Sequence, residues 1–180
     1  MIKLTTLTAA ALVAISAAAF AAGSGSSGGT SGNTTPPPST HGCKKGEVWD
    51  KQTQKCLKGK AGLLPDEELY QQGRALAKDG QYDWALQVLA LAQNQNDPRI
   101  LNYEGYSNRK AGRIEIGISY YRQALAINPN FVLAREYLGE GYVAAGRTDL
   151  AKAELAEIAT RCGIGCEEYK DLSQAISTAN

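Results

Sequence analysis

The sequence predicts an all-α fold: a short solenoid of three helix-turn-helix repeats, closed by a C-terminal capping helix and preceded by a small disulfide-closed hairpin. Three observations carry this expectation. Glycines recur with one period, since Gly73, Gly105 and Gly139 are 32 and 34 residues apart and Gly80, Gly112 and Gly146 keep those spacings seven residues behind. A small residue follows each later glycine by five, at Ala85, Gly117 and Ala151, and three series sharing one period mark a repeat array. The cysteines fall in two close pairs, Cys43 with Cys56 ahead of the periodic region and Cys162 with Cys166 at its end.

The 180 residues are 43% hydrophobic and 21% charged, enough for one domain with a core and too apolar for a wholly disordered chain. Lys and Arg number 19 against 18 Asp and Glu, so no global basic field points to nucleic acid.

Residues 1–21 read as a cleaved signal peptide. Lys3 is a short charged start, Leu4 to Ala19 is apolar, and Ala19-Phe20-Ala21 supplies the small-x-small pattern that a signal peptidase reads. Thr5, Thr6, Thr8 and Ser16 interrupt the apolar run and no positive stop follows it, which disfavours a transmembrane anchor. No cysteine near the cut invites a lipid anchor. The expected location is periplasmic or secreted, with no stable membrane insertion after cleavage. The mature chain would carry 18 basic and 18 acidic residues.

Export makes the cysteines legible as disulfides. Four cysteines permit three connectivities, and proximity favours Cys43–Cys56 and Cys162–Cys166. A zinc site wants ligands two to four residues apart, whereas Cys43 and Cys56 have twelve residues between them. A thioredoxin-like site wants C-x-x-C in a βαβ context, and neither is present. No metal or other cofactor is expected.

Residues 22–42 are Gly, Ser, Thr or Pro apart from Ala22, Asn33 and His41. With so little apolar surface to offset chain entropy, this is expected to be a disordered linker, with His41 solvated. Residues 43–60 form the hairpin: Gly46 turns the chain, Val48-Trp49 is a short apolar patch and Asp50 to Thr53 is turn-like. Its C-x-x-G-E-V-W-D…C pattern resembles short Cys-bounded modules of secreted proteins, some of which contact carbohydrate. Trp49 is expected to dock on the hairpin or the helices, with an exposed sugar platform as the alternative.

From residue 66 the residues match the tetratricopeptide repeat (TPR), whose pattern is W-x2-L-G-x2-Y…G…A-x3-F…A…P. The third repeat (132–163) carries Leu138-Gly139, Tyr142, Gly146 and Ala151. The second (98–131) carries Gly105, Gly112, Gly117 for Ala, Tyr121 for Phe, Ala124 and Pro129. The first (66–97) carries Gly73, Gly80, Ala85, Leu89 and Ala92, with its proline one place late at Pro98. The resemblance implies a right-handed solenoid and a protein-binding scaffold, and together with the hairpin and the cap it resembles small periplasmic repeat proteins of proteobacteria.

Physical reasons support these positions. A small residue lets the first helix of a pair approach the second closely, and Gly80, Gly112 and Gly146 suit a left-handed helix end. Asp97-Pro98 and Asn128-Pro129 are each expected to cap and preorganise the next first turn. Leu69, Leu86, Leu89, Tyr103, Ile118, Tyr121, Leu125, Leu138, Tyr142, Leu155 and Ile158 recur at helical spacing as interior. Gln72 and Glu104 stand where the family has leucine, and Glu104 is expected to pair with a base or bend to the surface. Gly163 and Gly165 end the third repeat, and 165–178 is the capping helix, with Glu167 and Glu168 at its positive end and Tyr169, Leu172 and Ile176 as its apolar stripe.

No P-loop, H-E-x-x-H, G-x-S-x-G or dinucleotide fingerprint occurs, and no histidine lies beyond His41. Histidine-dependent nucleophilic chemistry is therefore excluded. Carboxylate pairs such as Glu136 with Glu140 or Glu154 with Glu157 read as solvated faces without a pocket to perturb them. The protein is expected not to be an enzyme.

By the family resemblance, the partner groove is lined by first-helix residues facing away from the second helix: Tyr70, Arg74 and Lys78, then Asn102, Tyr106, Arg109 and Lys110, then Glu136 and Glu140. The expected partner is an envelope protein or peptide, an extended segment that is acidic and aromatic over the first two repeats and basic toward the third. Asn102 is the expected backbone-bonding group. Arg74 and Arg109 are read as surface sites. Self-association through the array ends stays open, and the alternative role is a structural or cell-wall protein using the Trp49 hairpin.

Overall fold

The computed structural model describes residues 41–179. The signal peptide and nearly all of the linker fall outside the described residues. Strands β1 (Glu47–Asp50) and β2 (Lys55–Lys58) pair antiparallel, placing Val48 opposite Leu57 and Trp49 opposite Cys56. The Asp50 carboxylate shapes the turn by accepting from the Gln52 amide at 2.8 Å and the Thr53 hydroxyl at 2.6 Å. Cys43–Cys56 closes the hairpin and Cys162–Cys166 is the second disulfide. His41 is exposed but not merely solvated, because its ring stacks on Trp49 at 4.4 Å.

Seven helices follow among the described residues: α1 (Asp66–Lys78), α2 (Tyr82–Leu89), α3 (Pro98–Lys110), α4 (Ile114–Ile127), α5 (Val132–Ala144), α6 (Thr148–Cys162) and α7 (Glu167–Thr178). They pack as pairs α1/α2, α3/α4 and α5/α6, with α7 against both α5 and α6. Odd-numbered neighbours also touch, α1 with α3, α3 with α5 and α5 with α7, so the odd helices form a continuous wall. The fold is the repeat solenoid with a hairpin in front that the sequence predicts.

Local chemistry sets the joints. Gly112, at φ 83° just past α3, adopts the left-handed conformation that a side chain resists, as do Gly80 and Gly146 at the same place. Gly105 serves close approach: a Cβ there would lie 2.6 Å from the Tyr121 ring. At Gly139 the expected partner changes. The side chain filling that slot is Leu172 of the capping helix, not a residue of α6, because α7 packs across α5 as a further helix of the odd row.

Asp97 caps α3, accepting from the Arg99 amide with Pro98 in the first turn. Asn128-Pro129 does not repeat this arrangement. Helix α5 starts only at Val132 with Phe131 at its cap, Asn128 accepts from the Asn130 amide at 3.1 Å, and the Pro129 carbonyl accepts from the Arg135 and Arg161 guanidinia. The proline lies in the connection, because the Asn128 side chain turns the chain before a helix can begin. Most of the interior set is buried, but Leu86, Leu125 and Leu155 are only half-buried.

The two departures from leucine have separate solutions. Gln72 accepts from the Trp49 amide at 2.8 Å and donates to the Trp49 carbonyl at 2.9 Å, clamping β1 to α1. The Trp84 indole on α2 adds a bond to the Glu47 carbonyl at 3.2 Å. Glu104 meets no base among the described residues and does not bend out to the surface: the residue is only 6% exposed, although its carboxyl oxygens are not sealed from solvent. Burial instead pushes its carboxyl up to about 7, so protonation removes the charge that a base would otherwise neutralise.

Candidate functional site

The odd helices together line a groove of about 350 Å³. Arg74 and Lys78 come from α1 and Lys110 from α3; Glu136 and Glu140 come from α5, and Glu167, Glu168 and Asp171 from α7. Tyr103, Tyr106, Tyr137 and Leu133 complete the lining. The tyrosines form a ladder, with ring centroids 6.0 Å apart for Tyr103 and Tyr106 and 5.2 Å for Tyr106 and Tyr137. Tyr103 and Tyr106 share one face of α3 at i and i+3, and Tyr137 stands one 34-residue period beyond Tyr103, on α5.

The groove is bipolar. Arg74 donates to the Tyr103 hydroxyl at 3.0 Å, and Lys78 donates to the Tyr137 hydroxyl at 2.7 Å while lying 4.7 Å above the Tyr106 ring. Burial pushes the Lys78 ammonium below the ordinary lysine range. Opposite them, Glu140 pairs with Arg109. Glu136, Glu167, Glu168 and Asp171 have no hydrogen bond to their side chains and no ion pair among the described residues. Glu136 is 5% exposed. Burial, then the charges of Glu140, Asp171 and Glu168, pushes its carboxyl up to about 8. The expectation that no pocket would perturb a carboxylate here fails at Glu136, because α7 covers α5 from the side.

No protein-family model matches the chain, and no curated protein matches it. A solved structure does: the first TPR of Spaghetti (RPAP3) bound to HSP90 peptide SRMEEVD, with a TM-score of 0.55 at 19% identity over 63% of this chain and 91% of that one. The fold is TPR-like. Among the described residues no helix is long and apolar enough to cross a membrane.

In this TPR-like frame, six residues singled out from sequence line the groove together: Arg74, Lys78, Tyr106, Lys110, Glu136 and Glu140. Three do not. Tyr70 stands outside the lining, edge-on to Tyr103 at 5.8 Å with the Arg99 guanidinium 4.7 Å over its face. Asn102 is 0% exposed with neither side-chain oxygen nor nitrogen partnered, so it offers nothing to a partner's backbone. Arg109 is not a surface site; its side chain is 9% exposed, bonds the Tyr121 hydroxyl at 3.2 Å and pairs with Glu140. The close approach of α3 and α4 at Gly105 and Gly117 draws that part of α3 inward.

Sequence reasoning missed Tyr137, Leu133 and the α7 acids. Glu167 and Glu168 were legible as helix-start charges, and only the docking of α7 beside α5 turns them toward the groove. Of the other carboxylate pair, Glu154 is held in a largely buried ion pair with Arg135 and is not the solvated group expected, while the half-exposed Glu157 pairs with Arg161.

Proposed function

We propose that the protein is a non-enzymatic scaffold that holds an extended segment of a protein partner in the groove of the odd helices. The observation that carries this reading is the pair of charged walls, Arg74, Lys78 and Lys110 against Glu167, Glu168 and Asp171, which leave their charges without ion partners over a tyrosine floor. Such a surface discriminates partners by charge order along the segment. The peptide-bound state of the TPR neighbour supports the reading. No thiol, imidazole or aliphatic hydroxyl lines the groove, and Glu140 is committed to Arg109, which supports a binding role over catalysis. The signal-like leader and two disulfides support a periplasmic or secreted location and an envelope partner.

The experiment is crosslinking in intact cells followed by recovery of the full chain, wild type against Arg74→Glu with Lys110→Glu. Arg74 and Lys110 are exposed, so folding should persist while partner recovery and its salt sensitivity fall. Recovery of the same proteins with the same salt dependence would remove the groove from consideration. A second reading, wall or carbohydrate contact through the hairpin, rests on the pocket of about 240 Å³ between His41, Trp49, Glu68, Gln71 and Gln72. Loss of polysaccharide sedimentation in Trp49→Ala, with Lys110→Glu alone unaffected, would favour it; Arg74 lines both pockets and so does not separate them.

A further inference from the structure

We propose that the acidic end of the groove, built jointly by α5 and α7, is a subsite for an arginine side chain of the bound segment, with Glu136 as its buried anchor and Glu168 and Asp171 as its rim. The inference rests on the groove reading above and adds the chemistry of one position in the partner.

Three features select the occupant. Glu136 is almost wholly buried, lines the groove and has no hydrogen-bond or ion partner among the described residues. A buried carboxylate anion without a partner is costly, so the empty site holds the acid, and a cation brought to it is what makes the anion tolerable. The groove cations do not meet this need: Lys78 gives its hydrogen bond to Tyr137 and Arg74 to Tyr103.

The occupant is not a bare metal ion. Among the described residues, the only groups of three metal-ligating side chains whose ligand atoms close to within 4.8 Å are Cys43, Glu47, Cys56 and Cys162, Cys166, Glu168. Each contains a disulfide, and neither includes Glu136, Glu140 or Asp171. Carboxylates spread over two helices suit a planar, five-donor guanidinium better than an ion that demands converging ligands.

Binding is coupled to a proton. The charges facing Glu136 are Glu140 on its own helix, Glu168 and Asp171 on α7, and Lys78 on α1, with Lys110 of α3 also in the groove. The first three and burial favour the protonated acid in the empty groove, while Lys78 favours the anion. An incoming guanidinium requires the anion, so the proton leaves to solvent as the arginine enters. Affinity therefore rises with pH as Glu136 ionises.

The test uses the full mature chain and N-acetyl-L-arginine amide as probe, followed by amide chemical shifts in NMR. The neutral, near-isosteric N-acetyl-L-citrulline amide is the control. Arginine amide should move the resonances of Glu136, Tyr137, Glu168 and Asp171, and citrulline amide should not. With a carboxyl titrating at about 8, affinity should rise about fivefold between pH 7 and pH 9 where Glu136 contributes most of the binding, and up to about tenfold at the limit. Glu136→Gln, which keeps the shape of the protonated side chain, should flatten that rise and so separate it from titration of Lys78. Asp171→Asn, at an exposed position, should weaken binding and move the rise to lower pH, because the Asp171 charge helps to hold Glu136 protonated. Equal shifts from citrulline amide, a flat wild-type pH profile, or calcium moving the same resonances at lower concentration than the probe would each overturn the subsite. If the probe fails while crosslinking still depends on Arg74 and Lys110, the subsite falls and the groove stands; if both fail, the groove falls too.

Discussion

Lys78 on α1 donates a hydrogen bond to the Tyr137 hydroxyl on α5 at 2.7 Å, joining residues 59 positions apart across the intervening helix pair. The same ammonium lies over the Tyr106 ring of α3, so one side chain ties three odd helices at the groove floor. Tyr137→Phe removes the acceptor and little else. Urea denaturation should show a loss of about 1 kcal/mol, the ordinary net worth of such a bond. An unchanged midpoint would mean that Lys78 is held by the rings alone.

The glycine series divides into two physical roles, and alanine separates them. At Gly105 a Cβ would sit 2.6 Å from the Tyr121 ring and 3.1 Å from the Gly117 carbonyl oxygen, so Gly105→Ala should cost about 3 kcal/mol through forced separation of α3 and α4. At Gly112 nothing lies within 4 Å, and Gly112→Ala should cost only the left-handed backbone, about 1 kcal/mol. Thermal melts of the two variants should fall in that order.

Stability should respond to pH through Glu104. Its folded carboxyl titrates near 7, above the ordinary value of 4.5, so the folded state holds the proton more tightly than the unfolded chain. Its contribution is fully present below the unfolded value and is lost as pH rises from about 4.5 through 7. Glu104→Gln keeps the shape and removes the titration. The difference in unfolding free energy between variant and wild type should grow in the variant's favour from pH 4.5 to pH 8, by about 1–2 kcal/mol after allowance for solvent screening. A constant difference across that range would show that Glu104 does not titrate on folding.

The hairpin should come loose without unfolding the helices. Trp49 and Trp84, the two tryptophans of the chain, both bond across the hairpin–helix junction, which makes their emission a direct reporter. Gln72→Leu, the residue usual at that position in the resembling family, strips both partners from the Trp49 backbone and should shift emission to the red. Cys43→Ser with Cys56→Ser should do the same, removing a crosslink worth about 3 kcal/mol to that segment. Far-UV circular dichroism should stay near wild type in both variants, since helix packing does not pass through the hairpin.

The repeat period was written in glycines because two geometric demands, close helix approach and a left-handed helix end, admit few other residues. Each demand recurs once per helix pair, so it is visible without any knowledge of contacts. The hairpin staple was legible for a similar reason: two cysteines near each other, in a chain read as exported, have few other uses. Six groove residues were legible because the resemblance to the tetratricopeptide repeat implies which first-helix positions face the groove, and the repeat period carries those positions from one helix to the next.

What only the tertiary structure decided is what lies against each face. Asn102 and Arg109 share the outward spacing of Tyr106 and Lys110, yet the neighbouring helices bury them. Glu104 breaks the apolar pattern, and its resolution by protonation depends on the environment supplied by other helices. Glu167, Glu168 and Asp171 begin a helix that local rules explain completely, and they become a groove wall only because Leu172 fills the slot at Gly139 and seats α7 beside α5. Periodicity along one chain specifies a helix and its faces; burial, charge and pKa are set by non-local neighbours, and those exist only once the helices have packed.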